Sequence, residues 1–239
     1  MIKAVLMDFG GTVDTDGIHW MRMFEQAYSM LAPHVTADAL HDAYVRTERT
    51  LGTGGIIGPD FTFRDTLKAK IGLQKSFLEA GEGKNGGSDG NAGINATAIL
   101  DFCYGKVCDN IGRVSRPAIE RLHRDYRLCL VTNFYGNMHR VLTEFGLDPF
   151  FEPVIESSCV GVRKPDPEIF RLGISALGLE PAAVVAVGDS AGKDIIPAQI
   201  AGCRTIWLSG SAWDNTGCSP DAVIRSLAEL PGAIGSLHQ

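Results

Sequence analysis

The sequence lacks both a long apolar run and an excess of positive charge. No stretch of its 239 residues approaches the roughly 18 apolar residues of a membrane-spanning helix. Its 22 lysines and arginines stand against 28 aspartates and glutamates, which gives a net charge of −6. Nucleic acids and anionic membranes are bound by clustered Lys and Arg side chains. We therefore expect neither nucleic acid nor a membrane as the main partner.

The sequence also lacks Cys-x-x-Cys spacing, which is typical of zinc and redox sites. Its six cysteines are scattered, and Cys129 and Cys203 lie in apolar runs that predict strands. Reduced, buried thiols are typical of intracellular proteins. A predicted strand follows Lys3 at once, so no signal peptide is expected. The sequence thus predicts a cytoplasmic protein.

Five short apolar runs predict buried parallel strands. Helical patterns separate the later runs, and such alternation predicts an α/β fold with a doubly wound sheet. An amphipathic stretch near residues 221–230 is expected to pack on this core. The predicted strands are 4–6, 128–131, 154–155, 184–187 and 205–208, and the predicted helices are 116–125, 138–145, 167–177 and 194–201.

The segment from residue 15 to residue 110 interrupts this alternation, because it holds helical patterns and no convincing strand. We expect a mostly α-helical domain inserted into a core made of residues 1–14 and 111–239. Residues 81–93 are too rich in glycine for a helix or strand and predict a mobile connecting loop. The predicted helices of the insertion are 18–31, 37–51, 60–77 and 96–108.

Side chains suited to catalysis follow the predicted strands. Asp8 follows the first strand, Thr132 follows the second, and Asp189 and Asp194 follow the fourth. Lys164 stands before Pro-Asp-Pro at a predicted helix start. Open α/β sheets bind ligands at the carboxyl ends of their strands. We therefore expect these residues to share one site.

These four motifs, in this order, resemble those of the haloacid dehalogenase (HAD) superfamily, whose hydrolases use an aspartate nucleophile. The resemblance covers roughly residues 2–13 and 115–208. It implies a Rossmann-like core with an inserted cap domain. It also implies that Asp8 forms an aspartyl-phosphate during hydrolysis of a small phosphorylated substrate.

The resemblance further implies the parts that surround the nucleophile. Lys164 would neutralise charge on Asp8 and the phosphate, as a point charge. The phosphate itself would be held by Gly11, Thr132, Asn133 and Lys164.

A metal site is implied next to these groups. Asp8, Asp189 and Asp194 would offer carboxylate oxygens to Mg²⁺, a hard cation that prefers oxygen ligands. Gly10 would contribute only its backbone carbonyl, so the residue type there should not affect metal binding. Without a metal, clustered carboxylates repel one another and their pKa values rise.

The first motif departs from the family at one position. HAD phosphatases read Asp-x-Asp-Gly-Thr, and Gly10 replaces the second Asp, which transfers protons to the leaving oxygen and from the attacking water. Acid–base help is worth typically about 10²–10⁴-fold, so we expect weakened hydrolysis. Asp14, Asp16 and His19 lie nearby in sequence and are candidate substitutes. The simpler expectation is that Asp14 braces the turn and His19 packs at the start of the cap.

Other functions stay open at this stage. A slow or non-catalytic relative could keep the metal site and bind a phosphorylated ligand to regulate a partner. Phosphonatases carry Ala at the position of Gly10, but they need a cap lysine that forms a Schiff base. Lys68 and Lys70 lie in the predicted cap, and we expect both to be solvated. Dehalogenases carry Tyr at this position and do not need the acidic pair, which argues against that branch.

Overall fold

The computed structural model describes residues 1–82, 93–210 and 217–237. A six-stranded parallel sheet forms the centre, in the order β3-β2-β1-β4-β5-β6. The glycine-rich stretch for which a mobile loop was predicted lies, from residue 83 to residue 92, outside the described residues. The strands are β1 Ala4–Met7, β2 Arg127–Thr132, β3 Val154–Glu156, β4 Val184–Gly188, β5 Arg204–Leu208 and β6 Ala222–Ile224.

Strand β1 lies between β2 and β4, and the last residue of β1, Met7, pairs with Leu130 and Val187. The chain builds the sheet outward from β1 in one direction through β2 and β3, and in the other through β4, β5 and β6. The strand order therefore reverses at β1, and open sheets bind ligands at such a switch point. The predicted α/β class with a doubly wound parallel sheet is confirmed.

Helices cover both faces of the sheet, and the first four α-helices of the chain lie after β1 within residues 15–110, where the insertion was predicted. Among the described residues of this group no strand occurs, so the cap is helical. The domain limits of 15 and 110 stay a prediction. None of the described helices is both long and apolar enough to cross a membrane. The helices are α1 Trp20–Leu31, α2 Ala37–Gly52, α3 Phe63–Glu82, α4 Ala96–Asn110, α5 Arg116–His123, α6 Met138–Glu144, α7 Ser157–Val160, α8 Glu168–Leu177, α9 Ile196–Ile200 and α10 Leu230–Ser236.

The strands are apolar on both faces because both faces are covered. Val5 and Met7 point into one buried cluster, which continues into the cap, and Ala4 and Leu6 point into the other, which includes α8. This follows from the alternation of side chains along a strand. Burial of each large aliphatic side chain is worth roughly 1.5–3 kcal/mol. The two clusters thus fix the strand ends from which the site residues project.

The C-terminal segment packs on the core as expected, through the buried side chains of Ile224, Leu227 and Leu230, and it also contains a strand that the sequence analysis did not predict. The amphipathic stretch near residues 221–230 contains an edge strand, β6, before α10 begins. Val223 is half exposed while Ile224 is buried, so the pattern has the period of a strand. The carboxylate of Asp16 accepts from the Ser226 hydroxyl at 2.8 Å and from the Leu227 backbone N–H at 2.6 Å. Asp16 therefore fastens this segment to the core.

Candidate active site

The buried side chains of Asp8 and Lys164 meet beyond the end of β1. The backbone N–H of Asp8 donates to the carbonyl of Val187 on β4 at 3.0 Å, which extends the strand pairing to the base of the carboxylate. Lys164 Nζ donates to Asp8 Oδ1 at 2.6 Å and to Asp194 Oδ1 at 2.7 Å. One lysine therefore joins two carboxylates that follow different strands, β1 and β4.

The backbone of Lys164 is held by Asn133, which follows β2. The side-chain oxygen of Asn133 accepts from the Lys164 N–H at 2.9 Å, and its amide group donates to the Lys164 carbonyl at 3.0 Å. This side chain is therefore engaged with the lysine loop, which leaves the backbone N–H and the second N–H of the amide group as the donors that Asn133 can offer to phosphate. Thr132, the last residue of β2, is buried beside it.

Three carboxylates converge at this point. Asp8, Asp189 and Asp194 each place a ligand oxygen so that all three lie within 4.8 Å of one another. Asp189 is oriented by Thr12, whose hydroxyl donates to Asp189 Oδ1 at 3.3 Å and accepts from the Asp189 N–H at 3.1 Å. Asp194 Oδ2 accepts from the Ser190 N–H at 3.0 Å. Such an all-oxygen set fits Mg²⁺, which takes one or two carboxylates and keeps several waters.

The electrostatics of the cluster also favour a cation. Burial raises the pKa of Asp8 to about 6, against the effect of Lys164 and with a further rise from Asp194. Burial, followed by the charges of Asp194 and Asp8, holds the pKa of Asp189 well above its usual range. Burial opposes the charge of Lys164, but Asp194 and Asp8 outweigh it and raise its pKa. The lysine stays charged, and the remaining repulsion would be relieved by a divalent ion.

Two glycines make room for these carboxylates. Gly11 has φ +92°, and a Cβ on it would lie 2.4 Å from Asp189 Oδ2. A Cβ on Gly188 would lie 2.3 Å from Asp194 Cγ. Only glycine therefore fits at either position.

Gly10 is different, because nothing in the fold requires glycine there. Its φ of −76° and ψ of 114° are open to any residue. A Cβ on it would meet no atom within 4 Å. The position of the missing carboxylate is thus open space beside Asp8.

Asp14 braces the loop that carries Asp8. Its Oδ1 accepts from the Gly11 N–H at 2.7 Å, and its Oδ2 accepts from the indole N–H of Trp20 at 2.8 Å. Burial raises the pKa of Asp14 to about 7, although both hydrogen bonds act against this rise. The side chain also lines the cavity described below.

His19, the second candidate substitute, begins the cap. Its Nδ1 accepts from the Met21 N–H at 3.2 Å and caps α1. Burial, and then the charge of Lys193, lower the pKa of His19 to about 4. The ring lines the cavity as a neutral group. Asp16, the third candidate, is engaged with the C-terminal segment and does not line this cavity.

A cavity of about 700 Å³ lies between the cap and the strand ends. This volume is in the usual range for small-molecule sites. Every residue predicted from the motifs lines it, together with residues of α2 and α3. The predicted set is Asp8, Gly10, Gly11, Thr132, Asn133, Lys164, Asp189 and Asp194.

The cavity also contains a charged cluster that the sequence analysis missed. Lys70 Nζ on α3 lies 2.8 Å from Glu48 Oε1 on α2, and the hydroxyl of Tyr135 donates to Glu48 Oε2 at 3.0 Å. The expectation that Lys70 is solvated is wrong, whereas Lys68 is exposed as expected. Lys70 lies next to Ile71 on the buried face of α3, and this position in the helical pattern could have predicted that its side chain is buried.

A family model described as haloacid dehalogenase-like hydrolase matches residues 2–202. The phosphoserine phosphatase of Thermus thermophilus is 35% identical over 113 residues, which make up 46% of this chain and 45% of that protein. The chain therefore spans less than half of the length of this relative.

Two solved structures share the fold over nearly all of both chains. A HAD phosphatase from Thermococcus onnurineus is 24% identical with a TM-score of 0.55, and covers 98% of each chain. The putative HAD-hydrolase YfnB from Bacillus subtilis, solved with bound magnesium, is 21% identical with a TM-score of 0.60, and covers 97% of each chain. At these identities the likeness shows the fold.

Proposed function

This chain belongs to the haloacid dehalogenase-like hydrolase family, and on that premise we propose that it hydrolyses a small phosphorylated compound through an aspartyl-phosphate on Asp8. One observation carries the proposal: the buried contact of 2.6 Å between Lys164 Nζ and Asp8 Oδ1 at the switch point of the sheet. It supports a nucleophile that is kept near a fixed cation at the floor of a cavity. The similarity to a phosphoserine phosphatase is in keeping with it.

In the first step, a carboxylate oxygen of Asp8 attacks phosphorus while the bond from phosphorus to the leaving oxygen breaks. Lys164 already occupies Oδ1 of Asp8, which leaves Oδ2 for the attack. Lys164 favours the ionised form that attacks and stays beside the charge as it moves to the phosphoryl oxygens. The hydroxyl of Thr132 and the backbone N–H of Asn133 would donate to those oxygens, whereas the N–H of Gly11, also expected to hold phosphate, already donates to Asp14 Oδ1.

In the second step, water hydrolyses the aspartyl-phosphate, so that Asp8 is regenerated and inorganic phosphate leaves. Asp8, Asp189 and Asp194, with the carbonyl of Gly10, would hold Mg²⁺. This ion, when bound, neutralises charge on the phosphoryl oxygens. The carboxylate set described above and the magnesium in the Bacillus subtilis neighbour support this assignment.

Proton transfer is the weak part of the proposed mechanism. The leaving oxygen must gain a proton in the first step, and the attacking water must lose one in the second. Gly10 does neither, and both oxygens of Asp14 are already engaged. We therefore propose weakened acid–base catalysis, with activated aryl esters hydrolysed far better than alkyl esters.

A second candidate is a slow, phosphate-binding regulatory protein with the same site. It is favoured by Gly10, since the fold accepts any residue there and yet no acid is present.

The phosphonatase alternative loses support. A Schiff base needs a neutral amine, and Glu48 and the hydroxyls near it outweigh burial and raise the pKa of Lys70 well above its usual range.

The test compares the unaltered protein with Asp8→Asn, using p-nitrophenyl phosphate and Mg²⁺. We expect turnover by the unaltered protein and none above background by Asp8→Asn. Mass spectrometry of protein quenched in acid should find one added phosphoryl group, which is absent from Asp8→Asn. Equal turnover by both proteins would rule out Asp8 as the nucleophile.

Our proposal also places the protein in the cytoplasm, in keeping with its six unpaired cysteines.

A further inference from the structure

Lys70 and Glu48 have no part in the proposed chemistry, yet they lie inside the cavity. The Lys70 ammonium group lies over the ring of Tyr135, 5.3 Å from its centroid, and 6.0 Å from that of Trp20. The Lys70 side chain is only 14% exposed. A buried charged pair costs desolvation energy and is weak evidence of a role in stability. The position of the pair in the cavity wall favours a role in binding.

Glu48 and Lys70 differ in their remaining capacity to form hydrogen bonds. The Glu48 carboxylate is contacted by the Lys70 ammonium on one oxygen and by the Tyr135 hydroxyl on the other. The ammonium group has three N–H donors. Even if Glu48 and the Tyr135 oxygen each accept from one of them, a third stays available. Lys70 can therefore bind a further acceptor in the cavity.

The charges that line the cavity divide into two regions. The floor holds the three converging carboxylates of Asp8, Asp189 and Asp194 beside Lys164, which suits a metal ion. Towards the cap, Glu48 is the only carboxylate among the described lining residues, and cations outnumber it. This region therefore favours an anion over a cation. The cations of the cap-facing region are Arg49, Lys70, Arg163 and Lys193.

We propose that Lys70, positioned by Glu48 and Tyr135, binds a second anionic group on the leaving portion of the substrate. This inference rests on the proposed phosphatase function and narrows its substrate class. The substrate is then a small phosphomonoester that also carries a carboxylate or a second phosphate. Tyr135 and Glu48 are positioning residues in this account, since they act through Lys70.

The test uses four compounds with the same three-carbon chain. Propyl phosphate ends in a methyl group, and the other three compounds end in a carboxylate, a second phosphate or an ammonium group. Values of kcat/KM are measured with Mg²⁺ for the unaltered protein, Lys70→Met, Lys70→Arg and Lys68→Met. Lys68→Met is the matched control, because Lys68 is on the same helix but exposed.

We expect the unaltered protein to prefer a compound with a terminal anion over propyl phosphate. For Lys70→Met, kcat/KM on that compound should fall about 10- to 100-fold, as for loss of a charged hydrogen bond. Its kcat/KM on propyl phosphate should change little. Lys70→Arg should keep most of the preference, and Lys68→Met all of it. The better of the two anionic compounds identifies whether carboxylate or phosphate is bound.

Three results would overturn the inference. In Lys70→Met, kcat/KM could fall equally on all four compounds, which would mean that the charged cluster around Lys70 only joins cap and core. The compound with the ammonium group could be preferred, which would assign recognition to Glu48. The unaltered protein could also show no preference among the compounds.

A binding measurement distinguishes failure of this inference from failure of the hydrolase proposal. Calorimetry with the same compounds and Mg²⁺, in the Asp8→Asn background, reports dissociation constants without turnover. Selective loss of affinity for the anionic compound on Lys70→Met supports the inference even if no compound is hydrolysed. Unselective loss overturns it. If Lys70→Met leaves Glu48 unpaired and the protein unfolds, Glu48→Gln with Lys70→Met removes both charges and must lose the same preference.

Discussion

The indole N–H of Trp20 donates to Asp14 Oδ2 at 2.8 Å, which links the first helix of the cap to the loop that carries Asp8. The other oxygen of Asp14 accepts from Gly11 on that loop. One buried carboxylate therefore connects the cap, the loop that carries Asp8 and the cavity. Its ionisation should affect the stability of this whole region.

The stability contribution of Asp14 should depend on pH. Its pKa rises from 3.8 to about 7 on folding, so between these values the folded state binds more protons than the unfolded state. Stability therefore falls as pH rises through this window, by up to about 1.4 kcal/mol per pH unit. Urea unfolding of metal-free protein should show this slope relative to Asp14→Asn. A difference between the two proteins that stays constant from pH 4 to pH 7 would contradict the assignment.

Lys164→Met should abolish turnover and destabilise the metal-free protein. Removal of the ammonium group leaves Asp8 and Asp194 buried without their cation, and breaking a buried pair costs about 3–5 kcal/mol. Urea unfolding measures the loss, and Lys68→Met is the exposed control, with an expected change within about 0.5 kcal/mol. Equal stability of Lys164→Met and Lys68→Met would show that Lys164 does not stabilise the carboxylates.

Gly10 and Gly11 are adjacent but should respond in opposite ways to alanine. Gly11→Ala places a Cβ against Asp189 in a left-handed backbone conformation, which costs about 1–2 kcal/mol from the backbone alone. Gly10→Ala meets no neighbour and should be neutral or stabilising by about 0.4–1 kcal/mol, because alanine restricts the unfolded chain. Thermal unfolding of both variants tests this. Similar destabilisation by both would mean that the fold also requires glycine at position 10.

Mg²⁺ should raise the midpoint of thermal unfolding, since a ligand that binds only the folded state stabilises it by mass action. Asp189→Asn should remove most of this shift because it removes one of the three converging carboxylates. Asp38→Asn, an exposed change of the same chemistry in α2, should leave the shift intact. An undiminished shift in Asp189→Asn would place the metal elsewhere.

The core of the site could be predicted from the sequence because its residues are fixed by strand ends. Asp8, Thr132 and Asp189 each follow an apolar run, and the carboxyl ends of parallel strands must meet at one edge of the sheet. The missed edge strand β6 has only three residues, too few for a periodic pattern to be distinguished from an amphipathic helix.

The cap-facing part of the cavity could not be predicted in this way. Glu48, Lys70 and Tyr135 come from two cap helices and from the loop after β2, and their contacts depend on how the cap packs on the core. No local pattern specifies that packing. Lys70 differs from Lys68 in being buried in the cavity wall, and Lys68, two residues away on the same helix, is exposed.

The most direct test of the account replaces Gly10 by Asp, which the open space at this position should accept. The measurement is Mg²⁺-dependent hydrolysis of p-nitrophenyl phosphate and of alkyl phosphates. Gly10→Asn serves as a control that has the shape without the acid, and Asp8→Asn gives the background. We predict that Gly10→Asp gains about 10²-fold or more on alkyl phosphates, with a smaller gain on the aryl ester and none for Gly10→Asn. Rapid hydrolysis of alkyl phosphates by the unaltered protein, with no gain from Gly10→Asp, would contradict the account and assign proton transfer to another group.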